Sequence, residues 1–595
     1  MQHDSQGSVQ VAGSDSPDQA VRPRLSWTVE SGVTRPLAGW EWVAWAVLVV
    51  WLWVSRWTVA PEVLFEWDSV NYALGIGNFD PFEHQPHPPG YPVFVMALRV
   101  LTWFGLETTR AFLVLNALFG TAVLGLLGWM ARRSVGPLLA LLLGVAFSVC
   151  PPFWSQGAVS TAYVAECFCS MACGAMALAL VRGRISLPVV AGVAALIMGI
   201  RPSGVVTLLP VVLVAAVMVR PPRRTLAIST LVFGAVCSLW FFPLIIASGG
   251  WDAYQTASDA LAEWQLDMGS ILSGQWKGVS RNIEDLFYYL FDCMNLLWLP
   301  LLVNLLVVVG RRRFSSRTCV LMAVWLLPGA LTYALHHLAK SAYVLTLAPG
   351  VFLAVVLTLA AAISGAGRAT RWLLGLLNGV IGIGYLLLNV AAFYSAVPVA
   401  LFEERDADIE WPSWAFVTGD YGQVGLQYRT WPQEKIRGIV EEMDREHDLA
   451  LFLFGAHEMH RIERFYHPDQ WMAATSVDHG EALIAPPTPQ FPQSFGEYQL
   501  VVLRATGVGN TMKEPTLISA TSDEITLTRN GQELDIQLDR ELRRVVVFYP
   551  CPPCDMDAGE GLRVSRVLDV GAGFGAMEIV RTSTEGSSGE DRTTP

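Results

Sequence analysis

Long runs of apolar residues, separated by short polar and charged stretches, fill residues 37–400 of this chain. The first run, residues 40–60, consists almost entirely of Trp, Val, Leu and Ala. At about 1.5 Å per helical residue it can cross a hydrocarbon core about 30 Å thick. Further runs lie at 92–131, 137–153, 162–181, 187–219, 225–247, 291–310, 318–335, 342–363 and 372–398. The pattern predicts a helical bundle that crosses a membrane many times.

Clusters of arginine between the runs indicate the orientation, because short cytoplasmic loops are enriched in cations. The cations that fit cytoplasmic ends are Arg22, Arg24, Arg35, Arg132, Arg133, Arg182, Arg184, Arg220, Arg223, Arg224, Arg311, Arg312, Arg313, Arg368 and Arg371. The alternate loops are then external, and the chain crosses about eleven times. In this scheme residues 187–219 are two short helices broken at 201–204. Residues 92–131 must give one net crossing, so part of them lies along the interface or re-enters.

The composition changes near Glu403, where charged residues return and no run is long enough to span a membrane. Alternating stretches at 524–528, 534–538 and 544–548, and the apolar run 449–454, predict strands, and 436–446 has helical character. We therefore predict a soluble α/β or α+β domain over 401–581, on the outer, extracytoplasmic side of the membrane. The segments 1–36 and 582–595 have the composition of disordered tails.

Composition and charge narrow the class of protein. Hydrophobic residues make up 53% of the chain and charged residues 15%, with a mean hydropathy of +0.41, which excludes an ordinary soluble class. The net charge is −12, and the acids lie mostly in the tails and the C-terminal region. This argues against a nucleic-acid partner. Residues 1–36 contain no apolar core of a cleavable signal, so the first span reads as a signal anchor in the inner membrane.

The first external loop, residues 61–91, concentrates polar and aromatic groups. Asp68 follows the first span and Tyr72 comes four residues later, on the same face of a helical turn. A carboxylate with no cation in its own segment can accept a proton from a substrate hydroxyl. The alternative is that Asp68 caps a short interfacial helix, as Asp often does.

The second half of this loop is stiffened by proline. Four prolines between residues 86 and 92 fix the backbone around His84, His87 and Tyr91. Rigid placement of these side chains favours a binding site over simple capping.

Two charged residues in later apolar runs are further candidates for the functional site. Glu166 begins an apolar helix, where it either stabilises the helix dipole or contributes to a site cavity. Arg201 interrupts an apolar run, and a central-membrane Arg costs on the order of 2.5–3.5 kcal/mol by insertion scales, so it normally faces a cavity or a partner. Lipid phosphate is a suitable partner, and snorkelling to the outer surface is the alternative.

A third cluster lies between two apolar runs on the predicted outer side. It contains His336, His337, Lys340 and Tyr343, and Lys340 is its one cation. A compact ammonium suits a leaving phosphate, which needs positive charge and hydrogen-bond donors. A solvated turn with an interfacial lysine is the alternative.

The first-loop residues carry a resemblance to a known family. Trp67-Asp68-Ser69 with Tyr72, followed by His87-Pro88-Pro89-Gly90-Tyr91-Pro92, resembles the first-loop signature of integral-membrane GT-C glycosyltransferases, in particular the protein O-mannosyltransferase and aminoarabinose-transferase branches. The resemblance covers about the first 200 residues. It extends to the arrangement of one large first loop, many helices and a C-terminal soluble domain.

The resemblance implies transfer of a sugar from a polyprenyl-phosphate carrier to an acceptor hydroxyl on the outer face, with inversion, and with Asp68 as the base. Many members of the family have an Asp-Glu pair here, whereas this chain has Asp68-Ser69. No cofactor is certain, a divalent metal is left open, and so is a role for Glu66 or Asp80.

We therefore predict an inverting, carrier-dependent glycosyltransferase. Lys340 and Arg201 are the phosphate candidates, and the sugar and acceptor pocket is assigned to Tyr72, His84, His87, Tyr91, Glu166, His337 and Tyr343. The sugar is mannose or another hexose or pentose, and the acceptor is protein, lipid or glycan. The rival hypothesis is a transporter or flippase for a lipid-linked or anionic solute.

Three motif-like strings in the C-terminal region are weaker. His457 and His460 lie three residues apart and not the four of a zinc-protease box, although a site with His467 is left open. The glycine-rich run 567–575 is followed by too little chain for a nucleotide-binding fold, which favours a strand and turn. Cys551 and Cys554 can form a local disulfide outside the cytoplasm.

Overall fold

The structure is a computed structural model that describes residues 36–64, 67–310, 316–338, 340–364 and 366–394, residues 437 and 438, and ten strands between 450 and 581. The described part of 36–394 is almost entirely helical. Its helices are α1 (Gly39–Trp57), α2 (Trp67–Gly77), α3 (Pro92–Trp103), α4 (Thr108–Val135), α5 (Pro137–Ser148), α6 (Pro151–Ala158), α7 (Tyr163–Val181), α8 (Leu187–Ile200), α9 (Gly204–Thr207), α10 (Leu209–Val219), α11 (Arg223–Ala247), α12 (Trp251–Gly269), α13 (Trp276–Met294), α14 (Trp298–Gly310), α15 (Ser316–Leu335), α16 (Ala348–Ile363) and α17 (Arg368–Tyr394), with 3-10 turns at Ile271–Ser273, Asn295–Leu297 and Ser341–Thr346.

Six helical stretches in the described residues are long and apolar enough to cross a membrane. They are Thr108–Val135, Tyr163–Val181, Arg223–Ala247, Trp276–Gly310, Arg317–Leu335 and Arg368–Ala391. The pair α5 and α6, bent by 60°, makes a seventh if it is counted as one span. A mainly α, multi-pass chain is thereby confirmed, and the count of about eleven crossings stays a prediction.

The two ambiguous apolar runs divide where the sequence breaks. Residues 92–131 give the short helix α3 and the 28-residue helix α4. Between them Glu107 caps α4, because its carboxylate accepts the backbone N–H groups of Thr109 and Arg110 at 3.0 and 3.1 Å. Only α4 is long enough to span, which agrees with one net crossing. Residues 187–219 break after Ile200, where Arg201 takes an extended conformation at the end of α8.

Close helix packing holds α7 in the middle of the bundle. Gly174 on α7 faces the ring of Trp325 on α15, and a Cβ added at Gly174 would lie 2.4 Å from that ring. The Trp325 indole N–H donates to Ser170, one turn earlier on α7, at 2.9 Å. These two contacts fix the distance and the register between α7 and α15.

The first loop folds back onto α3. Arg99 on α3 donates to the carbonyls of Gly75 and Ile76 at 3.1 and 2.7 Å, which satisfies the last turn of α2. His84 and Tyr91 take left-handed backbone conformations, with φ of 56° and 48°. The loop thus turns sharply at both residues before the chain re-enters the bundle.

The ten strands are β1 (Ala450–Phe454), β2 (Trp471–Ser476), β3 (Glu481–Ala485), β4 (Leu517–Ala520), β5 (Glu524–Arg529), β6 (Gln532–Gln537), β7 (Arg544–Pro550), β8 (Met556–Ala558), β9 (Leu562–Gly571) and β10 (Phe574–Arg581). One sheet has the order β3-β2-β1-β7-β10-β9, and the other β6-β5-β4-β8. In the first sheet β1 runs parallel to β2 and β7, whereas β9 and β10 are antiparallel.

Four of these strands lie where the sequence predicts them: β1 in the apolar run, and β5, β6 and β7 in the alternating stretches. The glycine-rich run 567–575 covers the end of β9 and the start of β10. The boundaries and class of the C-terminal domain stay predictions.

Candidate functional site

The centre of the candidate site is an ion pair between the first loop and a distant turn. Lys340 Nζ lies 2.7 Å from Asp68 Oδ2, across 272 positions of sequence. Asp68 occupies the first turn of α2, and Lys340 immediately precedes the 3-10 turn Ser341–Thr346. The Asp68 side chain is 19% exposed and that of Lys340 33%, so solvent reaches both groups.

Two further side chains contact the same carboxylate. His87 Nδ1 lies 3.5 Å from Asp68 Oδ1, and the Tyr163 hydroxyl, at the start of α7, lies 3.5 Å from Oδ2. The contacts therefore come from three separate segments of the chain. Such convergence is typical of a functional site, whereas a helix cap serves its own backbone.

The charges around Asp68 set its protonation. Burial raises the pKa of the Asp68 carboxyl, but nearby positive charge, first that of Lys340 and then that of His87, outweighs burial and lowers it to about 2. Burial lowers the pKa of His87 to about 4, although Asp68 opposes that shift. At neutral pH the site therefore holds an ionised carboxylate, an ammonium beside it and a neutral imidazole.

Arg201 forms a second ion pair beside the first. Its guanidinium contacts the carboxylate of Glu166 and donates to the Tyr91 hydroxyl at 3.1 Å and to Ser203 at 2.9 Å. The side chains of Arg201 and Glu166 are only 14% and 4% exposed. Arg201 therefore faces an internal partner, and the snorkelling alternative does not describe it.

Aromatic rings surround the two ion pairs. The guanidinium of Arg201 lies over the rings of Tyr91 and Tyr343, at 5.5 and 5.6 Å from their centroids. Tyr72 packs edge-on against Tyr91 at 5.1 Å, and His87 against Tyr91 at 5.3 Å. The result is a charged centre with a rigid aromatic wall.

The structure brings nearly all of the predicted site residues together. The first contact set consists of Asp68, His87 and Lys340. Beside it lie Glu166, Arg201, Tyr91, Tyr72 and Tyr343. The ring of His337 packs on that of Tyr343, with the ring centroids 6.1 Å apart. His84 lies in the turn before Gln85, and a positive charge on it lowers the pKa of His87.

Tyr163 and Tyr333 belong to this set and were missed by sequence reasoning. Tyr163 reaches Asp68, and the Tyr333 ring stacks on Tyr343 at 5.5 Å while its hydroxyl donates to Thr346 at 2.8 Å. A tyrosine at the end of an apolar helix normally anchors at the membrane interface. The one available signal was that Tyr163 lies one helical turn before Glu166.

Most of the remaining candidates for a metal site lie outside the described residues. Within the described ranges, no group of three or more His, Cys, Asp or Glu side chains is arranged to hold a metal ion. Asp80 accepts the backbone N–H of Phe82 at 3.0 Å, so it stabilises its own turn. Glu66, the histidines of the 457–467 string, Cys551 and Cys554 lie outside the described residues. The divalent metal stays an open prediction.

Comparison with known proteins gives likenesses among solved structures. No protein-family model and no curated protein matches the chain. It is similar to ArnT from Cupriavidus metallidurans bound to undecaprenyl phosphate, with 16% identity, 72% of this chain and 85% of that chain covered, and a TM-score of 0.45. It is also similar to ArnT from the same organism in the apo state, with 18% identity, 72% of this chain and 84% of that chain covered, and a TM-score of 0.47.

A third likeness is to arabinofuranosyltransferase AftD from Mycobacteria, at 15% identity and a TM-score of 0.33, with 70% of this chain and 30% of that chain covered.

Proposed function

We propose that this membrane protein is an inverting glycosyltransferase, which moves a sugar from a polyprenyl-phosphate carrier to an acceptor hydroxyl on the outer face of the inner membrane. The observation that supports this most is the contact of Asp68 with Lys340. The first-loop resemblance implies Asp68 as the base, and Lys340 is the cation that suits a carrier phosphate; their contact brings the two groups together. Asp68 accepts the proton of the acceptor hydroxyl. The acceptor oxygen bonds to the anomeric carbon, and the carbon–oxygen bond to phosphate breaks, with its electron pair leaving on phosphate.

The ion pair has a consequence for the order of events. While Lys340 stays on Asp68, the carboxylate is a weak base, because the ammonium lowers its pKa to about 2, against the effect of burial. An anionic carrier phosphate competes for the same ammonium. When Lys340 turns to the phosphate, Asp68 loses its first counter-charge and its pKa rises. Donor binding thus prepares the base and stabilises the leaving group with one side-chain movement.

Arg201 is the second phosphate candidate, and its place beside Glu166 supports a fixed orientation. A guanidinium held by a buried carboxylate and by Tyr91 presents its remaining N–H groups in one direction. The two ion pairs leave this centre without net charge before the donor arrives, with His87 neutral.

The aromatic wall supplies the sugar pocket in this proposal. The faces of Tyr91 and Tyr343 hold the Arg201 guanidinium, and neutral His87 can donate or accept a hydrogen bond with a sugar hydroxyl. Tyr72 supports Tyr91 from behind, while His84 and His337 adjust the edges of the pocket. The C-terminal domain would cover the site or help to hold the protein, lipid or glycan acceptor.

The experiment is sugar transfer from a panel of radiolabelled polyprenyl-phosphate sugars by the purified full-length protein in detergent. Asp68→Asn is compared with wild type and with Asp80→Asn. The second variant is a matched control, because Asn keeps the oxygen that accepts the Phe82 N–H. We expect transfer by wild type and Asp80→Asn and its loss in Asp68→Asn.

Two results would overturn the proposal. Full activity of Asp68→Asn removes Asp68 as the base. Saturable binding of a lipid-linked sugar without turnover of any donor favours the transporter.

A further inference from the structure

Two buried thiols meet at the junction of three helices. Cys150 precedes the first residue of α6, and Cys293 lies in the last turn of α13, 143 positions later in the chain. Their Sγ atoms are 3.2 Å apart, and neither residue is exposed to solvent. The Tyr385 hydroxyl of α17 donates to the Cys293 carbonyl at 2.9 Å, which holds the end of α13 in place.

Both cysteines lie toward the same end of the bundle. Helix α5 starts just after Arg132 and Arg133, which fit a cytoplasmic end, and leads outward to Cys150. Helix α14 follows Cys293 and leads toward the cations at 311–313. The thiols therefore meet on the outer side, the compartment in which disulfides form and persist.

We propose that Cys150 and Cys293 form a structural disulfide between α6 and α13. The oxidant is the disulfide of an extracytoplasmic thiol oxidoreductase, which acts during folding, before the two residues are buried. One cysteine thiolate attacks that disulfide and releases one oxidoreductase thiol. The second cysteine thiolate then attacks the mixed disulfide and releases the other. Two cysteine thiols are oxidised and one disulfide of the oxidoreductase is reduced to a dithiol.

The bridge would support the segment that carries Lys340. Both α6 and α13 pack on the 3-10 turn Ser341–Thr346, which begins directly after Lys340. A covalent link between α6 and α13 fixes the spacing between the two helices that pack on this turn. The proposal does not rest on the assignment of the reaction, because it concerns the fold of the outer end of the bundle.

The test is differential thiol labelling of the full-length protein. Native membranes are quenched in acid, denatured without reductant and treated with N-ethylmaleimide; the protein is then reduced and treated with the deuterated reagent. Peptide masses should show Cys150 and Cys293 with the second label only. Cys167, Cys169, Cys173, Cys237 and Cys319 should carry the first label. First-step labelling of both Cys150 and Cys293 would overturn the proposal.

A second measurement distinguishes a covalent disulfide between Cys150 and Cys293 from two free thiols that only pack together. All proteins carry Cys551→Ala and Cys554→Ala, so that a bridge between those two is absent. Reductant should lower the thermal midpoint of this background, and the Cys150→Ala/Cys293→Ala variant should show no response to reductant. Cys173→Ala is the matched control, since Cys173 is equally buried but should keep the response. A midpoint of the background protein that does not change with reductant would contradict the bridge.

Discussion

At the scale of single residues, Lys340 has two partners in succession, the Asp68 carboxylate at 2.7 Å and, in our proposal, the carrier phosphate. Both partners are anionic, so the affinity of Lys340 for one opposes its affinity for the other. The pair thus couples donor binding to the strength of the base. This coupling gives Lys340 substitutions an effect on both the rate and its pH dependence.

Replacement of Lys340 by Met should lower kcat/KM about 100-fold, the usual cost of removing one donor that stabilises developing charge. It should also move the acid limb of the kcat/KM profile upward, because the first positive charge that lowers the pKa of Asp68 is gone. The pH profile of transfer measures both effects. Lys277→Met, on the exposed start of α13, is the control with an unchanged profile. A fall in rate with no displacement of the acid limb would contradict the pairing.

His87 gives a second prediction, on stability. Its pKa is about 4 in the folded protein, against about 6.5 in an unfolded chain, because burial disfavours the charged ring. Below pH 6.5 the unfolded chain gains a proton that the folded chain does not. The neutral His87 ring therefore contributes its full share to the free energy of unfolding above pH 6.5, and this contribution is lost as the pH falls from 6.5 toward 4.

The thermal midpoint in detergent should accordingly fall less between pH 7 and pH 5 in His87→Gln than in wild type. His336→Gln serves as a control variant outside the Asp68 contact set. Equal falls in wild type and His87→Gln would show that His87 does not titrate in this way.

At the scale of elements, the placement of Glu166 depends on how closely α7 approaches α15. Gly174→Ala should destabilise the protein by about 1–3 kcal/mol, since a Cβ there would lie 2.4 Å from the Trp325 ring and neither backbone can yield easily. Activity should fall with it, because α7 carries Glu166 and Tyr163 to the site. Thermal unfolding and transfer are measured together.

The control is Gly234→Ala on α11, where nothing lies within 4 Å of an added Cβ. That substitution should be neutral or slightly stabilising, because Ala favours a helix. Equal behaviour of the two variants would contradict the close packing of α7 on α15.

Helices and strands could be predicted from the sequence where the residues that start or end them lie within the element itself. The break after Ile200 and the division of residues 92–131 follow from Pro202, Gly204 and the polar residues 107–110. The bend between α5 and α6 falls inside one apolar run, so hydropathy alone merges the two helices. Strands such as β5 and β7 follow from alternation, but the parallel pairing of β1 with β7 joins residues about a hundred positions apart and leaves no local signal.

At the scale of the whole molecule, the sequence indicated candidate residues for the chemistry but not how they pair. Asp68 and Lys340 were assigned separate roles, as base and phosphate ligand, and their direct contact came only from the fold. The same holds for Arg201 with Glu166, where a lone membrane arginine predicted a partner without identifying it. Long-range pairing depends on how helices cross, which composition and periodicity do not encode.

The predicted orientation can be tested on whole cells with a membrane-impermeant maleimide. Phe82 in the first loop is 46% exposed and belongs to the predicted outer side, whereas exposed Cys319 lies near the cations at 311–313, on the predicted cytoplasmic side. In a chain carrying Cys551→Ala and Cys554→Ala, Phe82→Cys should react with the reagent from outside. Cys319 should react only after the membrane is permeabilised, and the parent chain without Phe82→Cys gives the background. Labelling of Cys319 in intact cells would reverse the topology, and with it the side of the membrane on which we place the site.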